Sequence, residues 1–198
     1  MSNFDILVRH EDDINSSIFN SFVNTVSSDK LSLEVIEVPK SGPMAGVEWL
    51  LPTATIIIIA KPYFQSFMSE MGKDHYILLK KGLNNLRGKF FGKDVSQRVL
   101  VTSSNAQNKV KNKYSFDFSI IIEAKNEKNF KLLIPKEVTQ EEYENTINVF
   151  LDYVEQYYDN KINIDDDKFI FGKTALLTYD KKLGKLEFIN PLPSRPKV

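Results

Sequence analysis

Four consecutive isoleucines, Ile56-Ile57-Ile58-Ile59, constrain this chain more than any other feature. β-Branched side chains lose rotamer freedom in a helix and pack well on a pleated sheet, so the run reads as a strand. A strand without polar alternation has both faces covered. Ala54–Ala60 is therefore expected to be the central, parallel strand of a mixed sheet, with helices on both faces. Pro62 suits the first turn of a following helix, where its missing N–H costs little. Phe64, Phe67, Met68, Met71, His75, Leu78, Leu79, Leu83 and Leu86 then form one apolar stripe at helical spacing. Gly88 and Gly92 end it. Upstream, Met44–Leu51 has the spacing of a short helix. Met44–Ala60 contains Glu48 and Pro52 and falls short of the roughly 20 apolar residues of a membrane span, so no membrane partner is expected.

The remaining segments extend the α/β pattern. Phe4–Arg9 is an opening strand, followed by a helix to about Ser27 with Ile18, Phe19, Phe22, Val23 and Val26 at helical spacing. Leu31–Val38 alternates apolar and polar side chains, as a strand near the sheet edge does. Arg98–Ser103 reads as a further strand. Ser115–Glu123 and Phe130–Ile134 flank a turn and form a hairpin. Thr139-Gln140-Glu141-Glu142 is a capping box, with Val138 and Tyr143 placed as its hydrophobic staple. The helix it opens carries Tyr143, Ile147, Phe150, Leu151, Val154 and Tyr158 on one face. Short strands at Phe169–Phe171, Ala175–Tyr179 and Leu186–Ile189 complete a C-terminal hairpin-helix-hairpin portion. A single α/β domain over residues 1–198 is expected, with an internal seam near 88–114.

Composition narrows the function classes. Lys plus Arg and Asp plus Glu number 26 each. The basic excess that phosphate neutralisation requires is missing, so nucleic acid is not an expected partner. The chain has no cysteine, which removes thiolate nucleophiles and Cys-ligated zinc and fits a reducing, cytoplasmic setting. Phosphate-cradling glycine loops and zinc-binding helices have no counterpart here.

What remains is positional. Ligands of open α/β sheets bind at the carboxyl ends of strands. The first strand ends at His10-Glu11-Asp12-Asp13, the second leads into Lys40-Ser41-Gly42, and the central one ends at Lys61-Pro62-Tyr63. His10, Asp12, Ser41, Lys61 and Tyr63 are thereby the candidate ligand-binding residues, on loops that could share one cleft. Glu70, in the helix leaving the central strand, is the candidate catalytic carboxylate. Asp74 lies one turn on, a spacing equally common on solvated helix faces, and no metal is assigned to it. His75 sits on the apolar face, where a packed, hydrogen-bonded histidine is the commoner role. Tyr153, Tyr157 and Tyr158 divide between core and a patch open to a partner.

The order FDILVRHEDD, helix, strand, SGP loop, short helix and TATIIIIAKPYFQSFMSE resembles a TIR domain over the first 85 or so residues. Phe67-Met68 stands where that family has tryptophan-cysteine, and Glu70 is the counterpart of its NAD-cleaving glutamate. The resemblance implies a cytoplasmic signalling or protein-interaction domain. Without the full catalytic motif, the first expectation is a non-catalytic module that engages a protein partner or its own copies, with no cofactor. One alternative is an NAD-cleaving hydrolase using Glu70, with NAD bound. Another is a nucleotide or small-molecule sensor without turnover.

Overall fold

The computed structural model describes residues 3–40, 53–92, 95, 98, 113–162, 170–171 and 173–190. The chain is α/β, built on one mixed sheet. Its strands are β1 (Ile6–Glu11), β2 (Leu33–Val38), β3 (Thr55–Ile59), β4 (Phe118–Glu123), β5 (Asn129–Leu132), β6 (Ile170–Phe171), β7 (Thr174–Asp180) and β8 (Lys185–Ile189). They run in the order β2-β1-β3-β4-β5-β7-β6, with β8 also paired to β7. The helices are α1 (Asn20–Val26), α2 (Met68–Asn85), the single turn α3 (Arg87–Phe90) and α4 (Gln140–Tyr158).

The isoleucine run is an interior strand, fully buried on one face and largely buried on the other, where Ile58 is partly exposed. Ile57 and Ile59 are fully buried on one face and Ile56 nearly so on the other. Its pairing corrects one expectation. β3 is parallel to β4 but antiparallel to β1, with Ile6 opposite Ile59 and His10 opposite Thr55. Alternation and β-branching report which faces are buried, and neither encodes strand direction.

The described helices contribute to a single core. Ile6, Val8, Ile57, Ile59, Phe118, Ile120, Ile122, Phe130, Leu132, Ala175 and Leu177 form the sheet side of it, and Phe22, Val26, Leu79, Leu83, Tyr143, Ile147, Phe150 and Val154 the helix side. Helices on the second face are not found among the described residues. The expected helix at Met44–Leu51 lies outside them, as do residues 99–103 of the expected strand; Arg98 itself is in no strand.

The α2 stripe is rotated from its sequence reading. His75, Tyr76, Leu79, Leu83 and Leu86 are buried, whereas Leu78 is 39% exposed. At about 100° per residue, Leu78 falls about 60° beyond the His75 end of the arc that runs from His75 to Leu83, whereas Tyr76 falls only about 20° beyond the Leu83 end. The α4 reading holds in detail. Thr139 accepts from the Glu142 N–H while the Glu142 carboxylate accepts from the Thr139 N–H, so the capping box is complete. Val138 and Tyr143 are both buried beside it.

Thr55 is a buried exception within the core. Its hydroxyl has no hydrogen-bond partner among the described residues, and a buried unsatisfied hydroxyl is costly. Valine keeps the shape and the β-branch. Thr55→Val is expected to raise stability by about 1 kcal/mol in denaturant unfolding; a loss of stability would show that the hydroxyl is bonded.

Candidate functional site

The antiparallel pairing of β1 with β3 separates the residues expected to share a cleft. His10 lies opposite Thr55, at the start of β3. At the other end, the Ala60 N–H donates to the Asp5 carbonyl (2.8 Å). The five steps from Asp5 to His10 span about 17 Å at roughly 3.4 Å each. His10 and Asp12 thus sit at one end of the sheet, and Lys61 and Tyr63 at the other. Ser41 lies outside the described residues. Glu70 is the third residue of α2, and its side chain is not among those described.

Two of these side chains, His10 and Tyr63, are bonded within the core. His10 is fully buried. Its Nδ1 lies 2.9 Å from the Glu11 carbonyl, Nε2 lies 3.1 Å from Ser16 Oγ, and its ring packs on Phe19. Asp12 is exposed, and its N–H donates to the Val38 carbonyl. Tyr63 is fully buried; its hydroxyl lies 3.1 Å from His75 Nδ1, and His75 Nε2 lies 2.7 Å from the Val26 carbonyl. A carbonyl can only accept, so the proton belongs on Nε2 and Tyr63 donates to Nδ1. Burial holds the Tyr63 phenol well above its ordinary range. This chain of bonds ties α1 to the start of α2. The Lys61 N–H donates to the Glu123 carboxylate (3.1 Å).

Two constellations escape the strand-end reasoning. At the His10 end, Arg98 gathers Glu11, Asp13 and Asp117. Its Nη1 pairs with Glu11, its Nη2 with Asp13 (2.5 Å) and its Nε with Asp117 (3.4 Å), and its N–H also donates to Asp117. Glu11 and Asp117 are buried. The bond from Lys40, and after it those from Arg98, holds the Asp13 carboxyl below its ordinary range. Burial raises the Asp117 carboxyl against the opposing pull of Arg98. Burial also acts to lower the Arg98 guanidinium, but its bonds to Glu11 and Asp13 outweigh that. At the Lys61 end, Lys125 donates to the Tyr157 and Tyr158 carbonyls and to Asn160. A cation there binds the last carbonyls of α4 and is favoured by its dipole. Both constellations join segments far apart in sequence, so residue spacing does not reveal them. Tyr153, Tyr157 and Tyr158 are all partly buried and pack on the core.

The third feature is the sheet edge. Among the described residues β2 pairs with β1 alone. Glu34, Val35, Ile36 and Glu37 are all exposed, Val35 at 38% and Ile36 at 37%. The strand contains no lysine, proline or glycine, and its only charged residues are Glu34 and Glu37. Neither Glu34 nor Glu37 makes an ion pair with any described residue. The sequence carried the signal as an alternating strand near the edge; that no described strand pairs with its outer side was not readable.

Among the described residues no helix is long and apolar enough to cross a membrane, and no group of three or more His, Cys, Asp or Glu side chains is placed to hold a metal. No protein-family model, curated protein or solved structure matches the chain significantly.

Proposed function

We infer that this chain is a cytoplasmic protein-interaction domain that docks an extended segment of another protein along the open edge of β2. The exposed Val35-Ile36 pair, on a strand edge with no partner among the described residues, carries the reading. Such an edge offers a row of free backbone groups, and a docking strand gains affinity from them and specificity from its side chains. The residues proposed for ligand binding support it indirectly. His10 and Tyr63 are engaged in bonds that hold the core, and Lys61 lies at the opposite end of the sheet from His10, so these three do not line one cleft.

Selection of random extended peptides on the full chain tests this directly. Selected peptides are expected to lose binding to Val35→Lys/Ile36→Lys, a variant whose exposed positions leave the melting temperature within a few degrees of the native value. Binding that survives this change would place the contact elsewhere and end the reading.

A further inference from the structure

We propose that the segment received by β2 is cationic: two adjacent apolar residues flanked on each side by lysine or arginine. This rests on the docking reading above and adds the chemistry of the partner.

The edge presents the series Glu34-Val35-Ile36-Glu37, all exposed. A strand laid alongside places one residue opposite each of these, on the same face of the sheet. Apolar residues opposite Val35 and Ile36 bury those side chains, and basic residues opposite Glu34 and Glu37 complete two ion pairs. The series is symmetric in charge, so a parallel and an antiparallel segment of this pattern fit equally. The two glutamates stand on opposite faces of the sheet, because successive strand residues alternate. A segment must therefore present one cation to each face, which an extended strand does and a helix does not.

The same charges disfavour a second copy of the chain. In the antiparallel register that sets Val35 of one copy against Ile36 of the other, Glu34 meets Glu37, and symmetry repeats the clash. Like charges directly opposite are destabilising. Acidic side chains are one of the devices that keep open edges from pairing with themselves. Here that device rejects the chain's own edge and leaves a basic strand as the complementary occupant. The β1 residues directly opposite Glu34 and Glu37 are Leu7 and His10, and His10 is buried with both ring nitrogens engaged; Arg9, opposite Ile36, stands diagonally to Glu34 on the same face but forms no ion pair with either glutamate among the described residues.

The probes are short synthetic peptides centred on Lys-Val-Val-Lys and on Glu-Val-Val-Glu, titrated into the full chain at low salt by fluorescence anisotropy. The basic peptide is expected to bind about tenfold more tightly, from two pairings changed in sign. Against Glu34→Lys/Glu37→Lys the order should invert. Equal affinities, or an order unchanged in the charge-reversed variant, overturn the proposal. If the two peptides do not differ while display-selected peptides still need Val35 and Ile36, the partner chemistry is wrong and docking at β2 stands. If the basic peptide binds Val35→Lys/Ile36→Lys as well as the native chain, docking at β2 itself fails.

Discussion

Arg98→Leu should cost the fold about 3 kcal/mol near neutral pH, the low end of the range for removing one partner of a buried ion pair. The low end applies because the Arg98 side chain is 29% exposed. Without the guanidinium, Glu11 and Asp117 become buried carboxylates with no close countercharge from Arg98, and burial already raises Asp117. The pH dependence has a definite sign. A carboxyl raised in the folded state penalises folding above its folded pKa, and the penalty is gone below its unfolded value. In Arg98→Leu this penalty deepens, so the deficit against the native chain is largest near neutrality and shrinks as both are acidified toward about pH 4. Asp13 works the other way in the native chain. Its carboxyl is lowered, so its contribution is present above its unfolded pKa and is lost as pH falls through the folded value. Denaturant unfolding of both proteins at the two pH values reads the difference; a deficit that stays constant would mean Arg98 acts through packing alone.

Gly82→Val should cost about 3 kcal/mol. A Cβ at this position would lie 2.6 Å from Val26 Cγ2 and 3.1 Å from Phe22 Cδ2. Both neighbours are fully buried. Val26 is stiff at χ1, so it cannot swing aside. Gly82→Ala poses the sharper question. Helix propensity favours alanine by about 1 kcal/mol, whereas overpacking opposes it by about 1–3. A 2.6 Å approach decides for overpacking, and the net expectation is a loss. Adding Val26→Ala to Gly82→Ala should then recover part of the loss, a favourable coupling that only contacting residues show. A stabilised Gly82→Ala would mean that α1 and α2 do not meet as closely as described.

Gly82 also illustrates what the sequence could and could not carry. In the chain it reads as a residue that weakens α2; its role at the α1 crossing depends on Phe22 and Val26, more than fifty residues away, and no local pattern records that. The capping box at Thr139 is the opposite case, because its donor, acceptor and spacing all lie within four residues. The Asp180–Lys185 hairpin is similarly local, with Gly184 at a φ of +63°, the left-handed region glycine tolerates. The isoleucine run specified a buried strand but left its direction open. That single unknown moved Lys61 and Tyr63 to the far end of the sheet from His10 and Asp12. Arg98 escaped for another reason. It bonds residues 85 and 87 positions earlier and 19 later, and a single arginine opening an expected strand has no spacing that reveals such partners. His75 fared better: its expected role, packed and hydrogen-bonded, is the one it adopts. His10, expected at a loop, is a buried strand residue.

The edge reading combines a legible part with one the structure supplies. Alternation in LEVIEV gives a strand and its acidic positions, and strand order makes it an outer one. Amide hydrogen exchange along the full chain, with and without a saturating peptide selected on it, measures docking at β2 most directly. Slowed exchange at Leu33–Val38, with Lys185–Ile189 at the far side of the sheet unchanged, is the predicted result. Protection elsewhere, with the β2 amides exchanging as fast as in the free chain, would contradict it.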